Sequence, residues 1–231
     1  MKKTLITLLA ISGLAMGVTI DSAVIYKTGE LESSYTLSEE VKFSGDFTLS
    51  LTLNVEAVRN FLNGSAGFYT FANVHASTQG NAGILFENNA EAGLKVGVTT
   101  DNVSTQVVDS PNWSRDYSTL SSIKWENVKS AAITLVHDST VRTDYYLTVF
   151  TGDAYTTFNG GGTNLKWSGG FETVDSLSVS TDYVTGVALF NSALTQTEVS
   201  TFHQDYMIPE PATATLSLLA LAGLAARRRR R

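Results

Sequence analysis

The sequence contains no cysteine, and only 16% of its 231 residues are charged. The absence of cysteine excludes disulfide bonds, thiolate zinc sites, a cysteine nucleophile and a lipid-modified cysteine after an export signal. The fold must therefore be held together by packing and hydrogen bonds. The chain is long enough for one domain with a hydrophobic core. Serine, threonine, asparagine and glycine replace the missing charges, as in many exported β-rich proteins.

Common catalytic motifs are also absent. No Glu-x-Asp-x-x-Glu strand places paired carboxylates on one face for glycoside hydrolysis, and Glu172 and Asp175 would face opposite sides of a strand. No His-Glu-x-x-His or Gly-x-Ser-x-Gly motif occurs, and the glycines at 160–162 lack the lysine of a phosphate-binding loop. The sequence therefore predicts that the chain is not an enzyme. A hydrolytic site assembled from distant carboxylates is the alternative.

The three histidines, His75, His137 and His203, lie far apart in the sequence and outside any metal-binding motif. We expect structural roles for all three. His203 falls on a predicted helix, where it is either a surface residue or a packing residue.

Basic residues are scarce outside the two ends of the sequence. Seven of the sixteen are Lys2, Lys3 and the run at 227–231. Without these seven, nine basic residues remain against 22 acidic ones, which is a net charge of −13. The region between the two ends is therefore strongly acidic, which argues against nucleic acid and anionic lipid as partners. It is compatible with neutral sugars and with Ca²⁺.

Residues 1–23 are predicted to be a signal peptide. Lys2 and Lys3 precede an apolar run from Thr4 to Met16, and small residues follow. This order of positive, apolar and small segments is typical of a secretory signal, with cleavage at 15–17 or 22–23. A buried N-terminal helix is the alternative.

Residues 207–231 are predicted to be a second targeting segment. An uncharged, mostly apolar stretch at 212–226 would rise about 22 Å as a helix, less than the ~30 Å of a hydrocarbon core. It is therefore a marginal transmembrane helix, and the arginines after it stay on the cytoplasmic side. The stretch is preceded by Pro209, Glu210 and Pro211 and followed by Arg227, Arg228, Arg229, Arg230 and Arg231.

This tail resembles the PEP-CTERM sorting signal of bacterial proteins in all three of its parts. The resemblance implies export, anchoring in the inner membrane, and recognition by a membrane-embedded exosortase that removes the tail near Pro-Glu-Pro. It also implies delivery to the cell surface or the extracellular polymer matrix. Pro209 and Pro211 keep the motif out of a helix. The resemblance does not extend to the activity of the body.

The body, residues 24–206, is predicted to be all-β. The clearest strand runs from Phe47 to Val55, where apolar and polar residues alternate as on a strand with one buried face. Tyr145 and Tyr146 would face opposite sides of another strand. Many short strands of this kind predict a sandwich of two antiparallel sheets. Further strands are predicted at 67–74, 83–86, 94–98, 131–136, 145–150, 176–180 and 185–190, separated by Gly- and Asn-rich turns.

One short helix is predicted near the end of the body. Thr195 and Glu198 have the spacing of a capping box. Val199, Phe202 and Tyr206 then share one face at spacings of three and four. We expect this helix to pack against the sandwich.

The segment 187–199 resembles the last strand and short helix of LamG-like, concanavalin A-like jelly rolls. The resemblance implies a two-sheet antiparallel jelly roll with a concave face, which relatives use to bind sugars or proteins; fold alone does not give function. Some relatives bind one Ca²⁺, so aspartates in predicted loops are candidate ligands, with ordinary turn roles as the alternative. These aspartates are Asp46, Asp101, Asp109, Asp138 and Asp153.

Exposed aromatic rings are the usual platform for a sugar. Trp113 lies in a predicted loop with Tyr117 close by, and this pair is the candidate ligand contact. Trp125 and Trp167 are expected to fill the core or a sheet edge. Three interpretations of the body stay open: a glycan-binding module, a purely structural envelope protein, and a glycan-active hydrolase.

Overall fold

The computed structural model describes residues 18–37, 43, 45–65, 67–76, 80–88, 93–99, 114–116, 122–140, 142–161 and 174–208. Within these residues, twelve strands form two antiparallel sheets of six strands each. In spatial order, the first sheet consists of β1 (Ile25–Thr28), β12 (Val184–Phe190), β3 (Phe47–Leu53), β8 (Ser130–Asp138), β9 (Arg142–Phe150) and β10 (Tyr155–Gly161). The second consists of β2 (Ser34–Thr36), β11 (Ser176–Val179), β4 (Gly67–Ala76), β5 (Gly80–Asn88), β6 (Gly93–Thr99) and β7 (Ser114–Asp116).

The main core lies between the two sheets. β3 is central in the first sheet, where Leu49 pairs with Leu189 of β12 and Leu135 of β8. These leucines are fully buried, together with Phe71 and Ile84 of the second sheet. The predicted all-β sandwich is confirmed, and every predicted strand overlaps an observed one. The strands that were not predicted are β1, β2, β7 and β10.

The first sheet is buried on both faces, which the alternation in β3 did not predict. Thr48 and Ser50 are as fully buried as Leu49 between them. A second apolar group, which we call the outer cluster, covers this face. As predicted, Tyr145 points into the main core and Tyr146 into the outer cluster. The outer cluster contains Ala132, Val136, Tyr146, Phe150, Ala188, Phe190, Leu194, Val199, Phe202, Met207 and Ile208.

A short helix carries much of the outer cluster. A first helix, α1, spans Val55–Leu62, and this second helix, α2, spans Gln196–Phe202. The predicted capping box is confirmed, because the Glu198 amide donates to Thr195 Oγ1 at 3.3 Å and the Thr195 amide donates to Glu198 Oε2 at 2.8 Å. A π-helical turn, His203–Met207, continues α2 across the sheet.

The helix α1 corrects two predictions. β3 ends at Leu53, so Val55 begins the helix instead of ending the strand. Asn54 caps the helix, because its side-chain oxygen accepts from the Ala57 amide at 3.2 Å. Val58, one turn later, is fully buried against the core. The expectation of a single short helix is therefore wrong.

The predicted targeting segments fall almost wholly outside the described residues. These do not include residues 1–17, the Pro-Glu-Pro motif, the apolar stretch at 212–226 or the arginine run. None of the helices in the described part of the chain is long and apolar enough to span a membrane.

Candidate functional site

Two tyrosines meet at the surface beside the start of β12. Tyr69 of β4 is 36% exposed, and Tyr183, just before β12, is half-buried. Their ring centroids are 4.3 Å apart with an angle of 44° between the planes. We call this pair the tyrosine platform. Tyr69 and Ile20 are the exposed large apolar residues found in the described part of the chain.

Buried aromatic rings support the platform from below. The Phe71 ring lies 5.4 Å from the Tyr183 ring, and the two are stacked at 24°. Phe61 of α1 meets Tyr183 edge to face at 6.1 Å. Phe86 of β5 then lies 4.4 Å behind Phe71. Such contacts restrict the rotation of the Tyr183 ring, so the platform is preorganised.

The backbone around Tyr183 is also fixed. The Asn54 amide donates to the Tyr183 carbonyl at 2.8 Å, and Asn54 Nδ2 donates to the Asp182 carbonyl at 3.2 Å. Phe71 is the extra residue of a β-bulge in β4. Its carbonyl accepts from the Ser180 amide at 2.8 Å. Bulges commonly re-aim side chains in this way. The cap of α1, the bulge and the turn at 180–183 therefore position one site.

The electrostatics of the platform favour hydrogen bonding to a neutral ligand. The pKa of Tyr183 is raised by partial burial first, and then by Tyr69 and the carboxylate of Asp182. The Tyr183 hydroxyl therefore keeps its proton and can donate. Asp182 is exposed and supplies acceptor oxygens. The exposed Tyr69 ring, the Tyr183 hydroxyl and one carboxylate are groups that suit a sugar ring with its hydroxyls.

The aromatic residues predicted as the ligand contact, Trp113 and Tyr117, lie outside the described residues, as does Trp167. Trp125 is 6% exposed and belongs to the main core, as expected. Sequence reasoning missed the tyrosine platform. An available signal was the Asp182-Tyr183 pair in a short polar segment directly before a predicted strand.

His203 is a packing residue and not a surface residue, because its side chain is fully buried under the outer face of the first sheet. Thr134 donates to Ser50 at 2.8 Å, so the Thr134 hydroxyl accepts from His203 Nε2. His203 Nδ1 then accepts from Thr148 at 2.7 Å, and Thr148 also bonds Thr157. Burial lowers the pKa of His203 to about 3, so the ring is neutral in this hydroxyl chain.

His137 of β8 is also buried, and its Nδ1 lies 2.9 Å from Thr143 Oγ1. Burial lowers the pKa of His137 to about 4, although Asp46 and Asp138 act in the opposite direction. Both histidines therefore have the structural surroundings that the sequence led us to expect. His75 lies on β4 and is partly buried.

Two of the candidate Ca²⁺ ligands have turn roles. Asp46 Oδ1 accepts from the amide and hydroxyl of Ser139 at 2.8 and 2.6 Å. Asp138 Oδ1 accepts from the amide and hydroxyl of Thr140 at 2.9 and 2.7 Å. No group of three His, Cys, Asp or Glu side chains suited to a metal ion occurs in the described part of the chain. Asp153 lies exposed in the β9–β10 turn, and Asp101 and Asp109 are not among the described residues.

No protein-family model matches the chain, and no curated protein matches it either. Solved structures do match. A leech intramolecular trans-sialidase complexed with 2,7-anhydro-Neu5Ac is 12% identical, with 78% of this chain and 27% of that one covered and a TM-score of 0.40. The enzymatically active domain of tailspike protein 2 from bacteriophage CBA120 is 8% identical, with coverages of 84% and 31% and a TM-score of 0.45.

A third match is a botulinum neurotoxin type C structure concerned with interaction with two ganglioside molecules. It is 10% identical, with 78% of this chain and 44% of that chain covered and a TM-score of 0.40. This chain thus spans less than half the length of these solved chains. The expectation that the chain is not an enzyme is contradicted by two of the matches, a trans-sialidase and an enzymatically active domain.

Proposed function

We propose that the chain is an exported bacterial envelope or matrix protein whose LamG-like jelly-roll body recognises glycans at the tyrosine platform. The observation that carries this proposal is the rigid pair formed by exposed Tyr69 and half-buried Tyr183 beside the carboxylate of Asp182. An aromatic pair held at the surface by buried rings has the shape and rigidity that sugar stacking needs.

The charge of the body supports neutral glycans as ligands. The chain without its terminal basic residues has a net charge of −13. Asp182 adds a local negative charge at the platform. The guanidinium of Arg59, on α1, donates to the Trp125 and Val128 carbonyls. Acidic sugars would meet electrostatic repulsion here.

A glycan array with the full chain in mild detergent tests the proposal, run with Ca²⁺ and with a chelator. Tyr69→Ala and Tyr183→Ala should each weaken binding about three- to tenfold, since an aromatic contact contributes ~0.5–1.5 kcal/mol beyond its area. Tyr35→Ala is the matched control, because Tyr35 is a half-buried tyrosine of β2 whose hydroxyl accepts from the Glu32 amide. Neutral glycans should be bound in preference to acidic ones. Glycan binding equal to that of the wild type in all three variants would refute the platform. Loss of binding with the chelator would assign a metal.

Glycan cleavage is the second candidate function. Asp182 is an exposed carboxylate at the platform, and hydrolysis needs a second carboxyl group about 5 to 9.5 Å away. Any glycan bound on the array is therefore incubated with the chain and assayed for new reducing ends. Release by the wild type that is lost in Asp182→Asn would establish cleavage at this site. Binding without release would count against it.

Export and sorting are supported by the signal-like segment at 1–23 and the tripartite tail at 208–231. Expression in a bacterium that contains an exosortase, followed by fractionation, tests this part. The chain should reach the cell surface or the matrix without its tail. A variant that lacks the arginine run should not be processed. Retention of an uncleaved chain in the cytoplasm would refute the sorting proposal.

A further inference from the structure

Three strands of the first sheet bind the last described residues of the chain, at the boundary between the body and the tail. The Tyr206 carbonyl accepts from the Tyr26 hydroxyl of β1 at 3.2 Å. The next two carbonyls, of Met207 and Ile208, accept from Thr52 of β3 at 3.0 Å and from Tyr155 of β10 at 2.9 Å. We call residues 206–208 the docked segment. Three consecutive carbonyls are thus bonded to both edge strands and a central strand of one sheet.

The docked segment is also packed by apolar contact. Met207 is 4% exposed and Ile208 is 2% exposed, and both belong to the outer cluster. The Ile208 amide donates to the His203 carbonyl at 2.8 Å and so closes the π-helical turn. Carbonyls at the end of a helix usually lack partners inside the helix. Here they are satisfied by side chains of the sheet, so the chain is fixed as far as Ile208.

Pro209, the first residue of the Pro-Glu-Pro motif, follows directly. We infer that the body itself sets the upstream limit of tail processing. Cleavage of a packed segment requires that the segment first opens locally. Bonds before Ile208 are therefore protected by the docked segment. Tyr26, Thr52 and Tyr155 are positioning residues for this processing.

The size of the effect follows from the hydrogen bonds. Removing one neutral hydrogen bond should raise the population of the opened segment about two- to tenfold. Tyr155→Phe keeps the ring, which lies 4.7 Å from the Phe150 ring, and removes only the hydroxyl. Thr52→Val keeps the side-chain shape and likewise removes only the hydroxyl. The double variant should open more readily than either single variant.

Limited proteolysis of the full chain in mild detergent tests the docked segment without any exosortase. Proteinase K should produce a resistant fragment that ends at or after Ile208, as read by intact mass. In Tyr155→Phe and Thr52→Val, cleavage within 203–208 should be about two- to tenfold faster. Tyr35→Phe is the matched control. It also removes a tyrosine hydroxyl, but Tyr35 lies on β2 of the second sheet and its hydroxyl accepts from the Glu32 amide. Rapid wild-type cleavage within 203–208, or unchanged rates in both variants, would overturn the inference.

A second measurement rests on the proposed sorting function. In exosortase-containing cells, the mature chain should end at or after Ile208. An end before Ile208 would overturn the inference. An unprocessed chain would overturn the sorting proposal, while the proteolysis result decides the docked segment separately.

Discussion

Replacement of His203 by Gln should make the stability of the protein less sensitive to acid. Burial lowers the folded-state pKa of His203 from 6.5 to about 3. Between these values the unfolded chain binds a proton that the folded chain does not. Stability is therefore lost as the pH falls from about 6.5 towards 3, by ~1.4 kcal/mol per pH unit and by up to about 5 kcal/mol in total.

His137 contributes in the same direction. Burial lowers its pKa from 6.5 to about 4, with Asp46 and Asp138 opposing the shift. Its contribution is lost between about pH 6.5 and 4 and amounts to ~3 kcal/mol in total. The two histidines lie on opposite faces of the first sheet, since His137 contacts Phe47 of the main core. Their effects should therefore be nearly additive.

Urea unfolding at pH 7.5, 6 and 5 provides the measurement. The free energy of unfolding of the wild type should fall by about 2 kcal/mol from pH 6 to 5, with roughly 1 kcal/mol from each histidine. His203→Gln and the matched variant His137→Gln should each lose about half of this decrease. The Gln amide can still donate to Thr134 and accept from Thr148, so folding should survive. If the free energy of unfolding of His203→Gln depends on pH as steeply as that of the wild type, the buried ring does not control acid stability.

Three further outcomes can be checked by urea unfolding. Leu51→Ala should cost about 2–5 kcal/mol because it leaves a cavity between the sheets; a cost below 1 kcal/mol would contradict the packing. Asn54→Ala should cost about 0.5–2 kcal/mol and also weaken glycan binding, because the Asn54 side chain both caps α1 and donates to the Asp182 carbonyl beside Tyr183; unchanged binding would separate the two roles. Gly186→Ala should cost about 1–3 kcal/mol, because its Cβ would lie 2.8 Å from Thr52 Oγ1. Gly186→Ala should also speed the proteolysis of the docked segment, because Thr52 donates to the Met207 carbonyl.

The parts of the fold that could be predicted carry local signals. The alternation from Phe47 to Leu53 gave β3, and the spacing of Thr195 and Glu198 gave the start of α2. The start of α1 could also have been predicted, since Asn54 is a favourable cap residue and Val55 and Val58 follow it at helical spacing. It was missed because Val55 also continues the alternation of the strand, and the two periods overlap at that residue.

Burial of both faces of the first sheet could not be read from the sequence. Thr48 and Ser50 look like residues of an exposed face. Their hydroxyls are buried because Ser192 and Thr134 pair with them, at 2.8 Å in each case. Such pairing depends on where α2 docks, and that is set by residues about 150 positions away in the sequence.

The tyrosine platform was equally hidden, because its two residues come from distant strands. Ser178 of β11 pairs with Asn73 of β4, and this pairing brings the turn before β12 over Tyr69. A bulge at Phe71 then adjusts the direction of the side chains. Neither strand carries a local signal for the other.

The outer cluster also has a mechanical consequence. Tyr26, near the start of the body, packs against the same cluster that contains Ile208. Tension applied to both ends would act first on this cluster and on the three hydroxyl–carbonyl bonds of the docked segment. The ladders between strands contain many more hydrogen bonds and would bear the load later. A body tethered by its tail would therefore lengthen first at residues 206–208, while the sandwich and its tyrosine platform stay closed.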